Sequence, residues 1–556
     1  MIKNKFVYVV AGIALFAATA CKKQLNVGNP NAPTIGSNVS SESGLIAFTQ
    51  GSTWIDGFVN GDGWLGNSYF SLPYGFQELL GDVVGADAAN QEISVLSVPA
   101  KVTTEDGTTV DNPNLQIPFL RQYNTRGNTG AGNNVYYYQW LNMYALNNAC
   151  NTIMNILPGI KFSGDATTKA NTITAWCDWW KGYAYASIGS MYYSGLVIDN
   201  YNGASNHYMP HDSIIARSNY YFEQASSILS GITSVSDYTT ILTGLIPTDF
   251  QQGHGGVPSP AEWVRSINTM LARNILLNKL SPFVNGVVGS SIAKSSTTNM
   301  TAADWAAVLS YAQNGIKDGD VVFSGHSSSN NAVFSPGGGS AASLTTGTNT
   351  NTTFKISERF MQDFNPGDAR VANNFDTLST YFNPSFTTRY EMIDGGNGAA
   401  GVYVYGSTSS GGIEVYIAGS YEENALMLAE ASIMTGATET GLGYIDAVRK
   451  YMGAGVPAVA GTGLTQAKAM AELVKERRVA LAFRGLSFYD LRRWGWIYAI
   501  SNGGGSYGNT FVTSSGKVYT NTTIDYNFLD YWDVPADESV LNPPGAGSAA
   551  TVNPNF

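Results

Sequence analysis

Cysteine and histidine are scarce: the 556 residues hold three cysteines, Cys21, Cys150 and Cys177, and four histidines, His207, His211, His254 and His326. No CxxC pair and no Cys/His cluster occurs, so neither a zinc nor an iron site is expected. His207 and His211 are four residues apart, but Pro210 lies between them and breaks the helix that would put both rings on one face. Basic charge is also in short supply. Thirty Lys+Arg stand against 41 Asp+Glu, a formal net charge of −11, whereas a polyanion-binding surface needs a basic field. Nucleic acid is therefore not an expected partner. Long apolar runs are limited to FVYVVAGIALFAATA at 6–20, so membrane attachment is expected only at the N-terminal end.

What the chain has in quantity is glycine (61 residues) and aromatics (12%), with only 13% charged residues. Such a composition folds, with long uncharged loops that suit neutral hydroxylated ligands better than ions. Lysines in MIKNK, the apolar run and the small-residue exit make 1–20 a secretory signal peptide, too short and wrongly flanked for a stable membrane span. Ala18-Thr19-Ala20-Cys21 matches a bacterial lipoprotein processing site, which makes Cys21 the lipidation residue. The alternative is ordinary cleavage nearby, with Cys21 an incidental thiol. Residues 21–40, including KKQLNVGNPNAPT, read as a polar tether, and 41–556 as one mostly α-helical domain.

Helical periodicity comes in pairs. Met143, Leu146, Cys150, Ile153 and Leu157 repeat at 3-4-3-4 spacing in 135–157, and Ile173, Cys177, Trp180, Ala184, Ile188 and Met191 continue in 170–195. Pro158-Gly159 and Ser163-Gly164-Asp165 between them predict an antiparallel helical hairpin. Both cysteines fall on the apolar stripes, as buried thiols or as a disulfide across the hairpin. Further amphipathic stretches lie at 216–231, 262–280, 303–317, 418–435, 440–452 and 466–484. The pair at 417–452 has the small-residue crossing of a tetratricopeptide-type hairpin. Stretches 85–134, 325–353 and 393–412 read as long loops, with a short hairpin around 401–405.

The strip at 475–496, KERRVALAFRGLSFYDLRRWGW, concentrates arginine. Phase places Arg477 or Arg478 inside the apolar stripe between Val474 and Leu481, so a carboxylate on a neighbouring helix is expected to pair it. Gly485 is expected to end that helix, and Ser487 with Asp490 to open a short one as a capping box.

Glu476-Arg477-Arg478, the Ala/Leu run, Phe483-Arg484-Gly485 and Asp490-Leu491-Arg492-Arg493-Trp494-Gly495 resemble the C-terminal signature of the SusD/RagB family of Bacteroidetes outer-membrane lipoproteins. The likeness extends to the early helix from Trp140, to Trp180-Lys-Gly-Tyr-Ala-Tyr, to Arg265–Leu280, to Asn365-Pro-Gly-Asp-Ala-Arg and to Trp532-Asp-Val-Pro-Ala. One departure is Phe483-Arg484-Gly485, where an acidic residue often precedes the glycine; this bears on the local ion pairing. The resemblance implies tetratricopeptide-like hairpins supporting irregular loops and a few short β-hairpins, without catalysis or cofactor. It implies a cell-exterior, outer-membrane protein that passes an oligosaccharide, or a peptide as in RagB-type receptors, to a SusC-like TonB-dependent transporter.

Sugar capture needs flat apolar faces and a few hydrogen-bonding groups. At about 1 kcal/mol per stacked ring, two or three aromatics give roughly micromolar to millimolar affinity. Candidates are Trp64, Tyr69 and Tyr74 in WLGNSYFSLPYG; Phe119, Arg121, Tyr123 and Asn124 in PFLRQYN; and Tyr381 and Phe386. The 119–124 group is favoured because Pro118 precedes it and Gly-rich sequence follows, which is expected to keep it out of a core helix. The competing reading is a surface glycoside hydrolase. Glu78, Asp82 and Asp87 are available, but Glu78 and Asp82 at i, i+4 read more simply as a solvated helix face.

Overall fold

A computed structural model describes residues 39–54, 75–87, 91–128, 134–251, 253–280, 300–326, 354–377, 380–384, 386–393 and 414–556. Cys21, Trp64, Tyr69 and Tyr74, the stretches 327–353 and 394–413, and the hairpin expected at 401–405 lie outside the described residues. The fold is mostly helical, with a few short antiparallel strand pairs.

The expected hairpin is present as helices Val135–Ile156 and Ala166–Met191. Each begins where a short polar side chain satisfies free backbone N–H groups: Asn134 accepts from Tyr136, and Asp165 from Thr167 and Thr168. The second helix packs against His211–Ser230, which in turn packs on Pro260–Asn278. Gly182 permits the closest approach, because a Cβ there would lie 2.7 Å from the Phe222 ring. Ser259 and Glu262 form a reciprocal capping box with Pro260 in the first turn. Ala302–Gln313 opens on the same device from Thr301 and Asp304. Tyr421–Met434 and Thr438–Tyr451 make the second predicted hairpin, and Gln466–Ala480 packs on both. Cys150 and Cys177 are fully buried free thiols. None of the helices among the described residues is long and apolar enough to cross a membrane.

Three expectations fail. The stretch 85–134 is not a plain loop: it holds strand Val84–Ala86, helix Gln91–Leu96, hairpin strands Lys101–Thr103 and Thr109–Asp111, and helix Gln116–Tyr123. These pieces are too short to show a period, and a sheet built with distant sequence fixes the two hairpin strands. That sheet is antiparallel throughout, in the order Ser506–Val512, Val518–Asp525, Lys101–Thr103, Thr109–Asp111, with Ile524 opposite Val102 and Val102 opposite Val110. Second, the 466–484 helix stops at Ala480, and Gly485 lies in a turn beyond it. That turn carries positive φ at Phe483 (61°) and at Gly485 (67°). Third, Ser487 caps nothing. The short helix starts at Ser487 itself, whose hydroxyl donates to Glu78 (2.7 Å), while Asp490 is held by arginines.

Glu78 and Asp82 are accordingly not a solvated face. Glu78 is fully buried and accepts from the backbone N–H of Phe483 (3.0 Å) and of Gly485 (2.9 Å) as well as from Ser487. It thereby ties the helix Gly75–Leu80 to the strip some 400 residues later. The buried arginines are paired as phase required. Arg477 meets Asp490 (3.0 Å), Arg478 meets Asp363, and Arg493 bridges Asp490 (2.7 Å) and Glu430 (2.5 Å). Arg370 joins Asp368 and Glu476, and Arg449 shares Glu476 from the next hairpin. Arg484, at the family departure, pairs with Glu422 (3.1 Å) and stacks 3.6 Å over the Tyr416 ring.

Candidate ligand-binding site

The favoured group at 119–124 turns out to hold the chain's own C-terminal segment. Phe119 lies in the core on the helix Gln116–Tyr123, its ring 5.0 Å from that of Tyr123, which correct the expectation that this segment stays out of a core helix. Arg121 clamps Asp533 with two N–H groups (2.8 and 3.2 Å) and donates to the carbonyls of Asn553 and Phe556. Asn124 donates to the Val534 carbonyl (3.1 Å) and accepts from the Ala536 N–H (2.8 Å). Their donors and acceptors are already occupied by the protein.

Tyr381 and Phe386 flank a two-stranded turn, Tyr381–Phe382 against Thr387–Thr388. Tyr381 donates its hydroxyl to Asp87, and the Lys355 ammonium lies 4.3 Å from its ring centre, so one face of the ring is taken. Phe386 packs over Gly85, where a Cβ would fall 1.8 Å from the ring; any larger residue at 85 would displace it. Of the candidate ligand-binding residues among the described residues, Phe386 is the one that lines a substantial cavity.

Among the described residues this cavity, about 470 Å³, is lined by the strand Val84–Ala86, by parts of the stretches 94–99 and 102–113, by Asn383, Pro384, Phe386 and Thr387, and by the tip Phe511–Ser514. Its volume is within the range of roughly 300–1,000 Å³ usual for small-ligand sites. Beneath it Asp82, in the left-handed region at φ 51°, accepts from Ser357 (2.8 Å), from two N–H groups of Arg359 (2.8 Å each) and from Tyr526 (2.7 Å). Burial pulls the Asp82 carboxyl up, but Arg359 and Tyr526 more than offset this and hold it below the ordinary carboxylate value. The floor is therefore rigid and internally neutralised.

Two other hollows are less suited. One, about 60 Å³ between Gln77, Arg273 and Tyr489, is of water size. The other, about 930 Å³, is a groove along Asn365–Val371. Its charged groups are engaged within the protein, Asp368 with Arg370 and Arg389 with Glu358. Among the described residues no group of three or more His, Cys, Asp or Glu could hold a metal ion.

Residues 421–544 match the model of the SusD family, and they contain the second hairpin, the arginine strip and the closing strand pair. Over this segment the chain is similar to the SusD family. The SusD-like fold extends well beyond that segment. A crystal structure with xylogluco-oligosaccharide is 13% identical and covers 92% of this chain and 99% of its own, with a TM-score of 0.54. A protein of Bacteroides vulgatus ATCC 8482 named for sugar binding is 12% identical over 90% of this chain and 96% of its own, with a TM-score of 0.51. A SusD-like protein from Bacteroides fragilis NCTC 9343 is 13% identical over 85% of this chain and 93% of its own, with a TM-score of 0.50. No curated protein sequence matches the chain.

Within this SusD-like frame, Val98, Val110, Phe511 and Ser514 are cavity residues not foreseen from the sequence. For Phe511 and Ser514 a signal existed in the alternation of SYGNTFV and VYTNTTID around TSSGK, which marks the hairpin whose tip lines the cavity.

Proposed function

We propose that this chain is a surface receptor that captures a nutrient oligosaccharide and hands it to a SusC-like TonB-dependent transporter in the outer membrane. The observation that carries the reading is the cavity: a preformed hollow on a SusD-like frame, with the rings of Phe386 and Phe511 in its wall and, among the described residues, its one guanidinium, Arg359, already matched by Asp82. The same fold in another protein is seen with xylogluco-oligosaccharide, which supports sugar as the ligand class. The signal peptide at 1–20 and acylation of Cys21 would fix the mature chain to the outer membrane facing the exterior. In this reading the protein is not an enzyme. Hydrolysis of a glycoside needs two carboxyl groups at working separation, one able to give a proton. Here Asp82 is locked by three side chains, and Asp111 is paired with Lys101 at 3.0 Å.

The test combines two readouts on the membrane-extracted protein. Binding of neutral oligosaccharides with no new reducing ends, together with a barrel protein co-purifying in an acyl-dependent manner that Cys21→Ala abolishes, is the expected result. Sustained release of reducing ends, or capture of peptides and no glycan, would replace this reading with the hydrolase or the peptide receptor.

A further inference from the structure

The walls of the cavity are aliphatic where a sugar-binding surface is ordinarily polar. Val84, Ala86, Val98, Val102, Val110 and Ile524 supply much of the lining beside the two phenylalanines. Val98 and Val110 at the mouth are 38% and 59% exposed, apolar surface left open toward whatever enters. The polar groups in the wall are largely engaged already. The Thr387 hydroxyl donates to the Val512 carbonyl, and the Asn112 amide oxygen accepts from the Asn114 N–H (2.9 Å). The Thr513 hydroxyl is shared with Ser515 (2.9 Å) and accepts from the Lys517 N–H (3.1 Å). Arg359 is spent on Asp82 and Asp111 on Lys101. Among the described residues, the hydroxyls of Ser97 and Ser514 are the lining side chains left without a partner.

A sugar hydroxyl entering such a space gives up its water and finds few partners, whereas a methyl group gives up nothing and fills aliphatic wall. Among the described residues, a carboxylate entering it would meet no free cation. We infer that the cavity seats a neutral sugar residue bearing a methyl group, a 6-deoxyhexose or an O-acetylated hexose, in preference to fully hydroxylated or uronic residues. Ser97 and Ser514 would take the few hydroxyls that remain directed at the wall. This inference rests on the glycan-receptor reading above and narrows its ligand.

The probes are an α-L-fucosyl oligosaccharide, the same oligosaccharide with L-galactose in place of L-fucose, an O-acetylated oligosaccharide with its deacetylated form, an oligogalacturonate and an aliphatic pentapeptide, each titrated calorimetrically into the mature chain. A buried methyl distinguishes ligands by roughly tenfold or more, so the methyl-bearing member of either pair should bind at least about tenfold tighter than its partner. The fucosyl and acetyl arms separate the two sources of the methyl. Val110→Asp, at a position 59% exposed, should erase that preference, with the melting temperature measured alongside as the control for folding. Glycans that bind without methyl preference, or a preference that survives Val110→Asp, would overturn the inference and leave the receptor reading intact. Binding of the pentapeptide alone, or of no glycan, would overturn both.

Discussion

At the scale of single residues, the least expected group is Glu78. Full burial pushes its carboxyl from an ordinary 4.5 up to about 7, against the pull of the Ser487 hydroxyl and the Phe483 and Gly485 N–H groups. A raised carboxyl value means that the folded chain holds a proton that the unfolded chain releases, so this group's contribution to stability falls as pH rises from about 4.5 to about 7. Asp178, raised to about 7 by burial, contributes with the same sign. Asp82 and Asp490 act oppositely: their arginines outweigh burial, and their contribution is lost as pH falls through and below the ordinary value of 3.8. Glu78→Gln should therefore flatten the decline in unfolding free energy between pH 4.5 and 7, by on the order of 1–3 kcal/mol across that window. Urea unfolding at several pH values reads this directly, and an unchanged slope would show that Glu78 stays ionised in the fold. No sequence pattern announces Glu78, because its three donors come from a turn about 400 residues away.

Elements were legible in proportion to their length. Val135–Ile156 and Ala166–Met191 carry five or six apolar positions at helical spacing, and their boundaries follow from Asn134 and Asp165 caps. The requirement that an arginine in an apolar stripe find a carboxylate was also readable, and Asp490 and Asp363 meet it. Gln116–Tyr123 was not readable, since eight residues show little period and Arg121 and Asn124 find their partners in the C-terminal tail. Arg493 and Glu430 are both fully buried, so Glu430→Ala leaves the guanidinium with only Asp490, which Arg477 also claims, and should cost about 3 kcal/mol. Replacing both, Arg493→Met with Glu430→Leu, should recover most of that loss, because the desolvated charge disappears with its partner. Chemical denaturation of the single and double variants checks this; a double variant as unstable as Glu430→Ala would mean that the ion pair itself, not the orphaned charge, sets the energy.

On the scale of the whole molecule, the candidate site is a product of topology. The cavity gathers residues near 85, 98, 110, 386 and 512; the four-stranded sheet joins 101–111 to 506–525, while 85 and 386 come from separate strand pairs. Phe386 was visible as a loop aromatic, but the aliphatic partners around it looked like ordinary core residues until the fold placed them around a hollow. The net charge of −11 and the internally balanced Asp82–Arg359 floor accord with the uncharged cargo proposed above. Calorimetric titration of a neutral oligosaccharide into the mature chain and into Phe386→Ala/Phe511→Ala tests this most directly. The account predicts roughly micromolar to millimolar binding by the wild type and a loss of about tenfold or more in the variant, with the melting temperature nearly unchanged. Equal affinity in the two proteins would place the ligand elsewhere on the molecule and contradict the account.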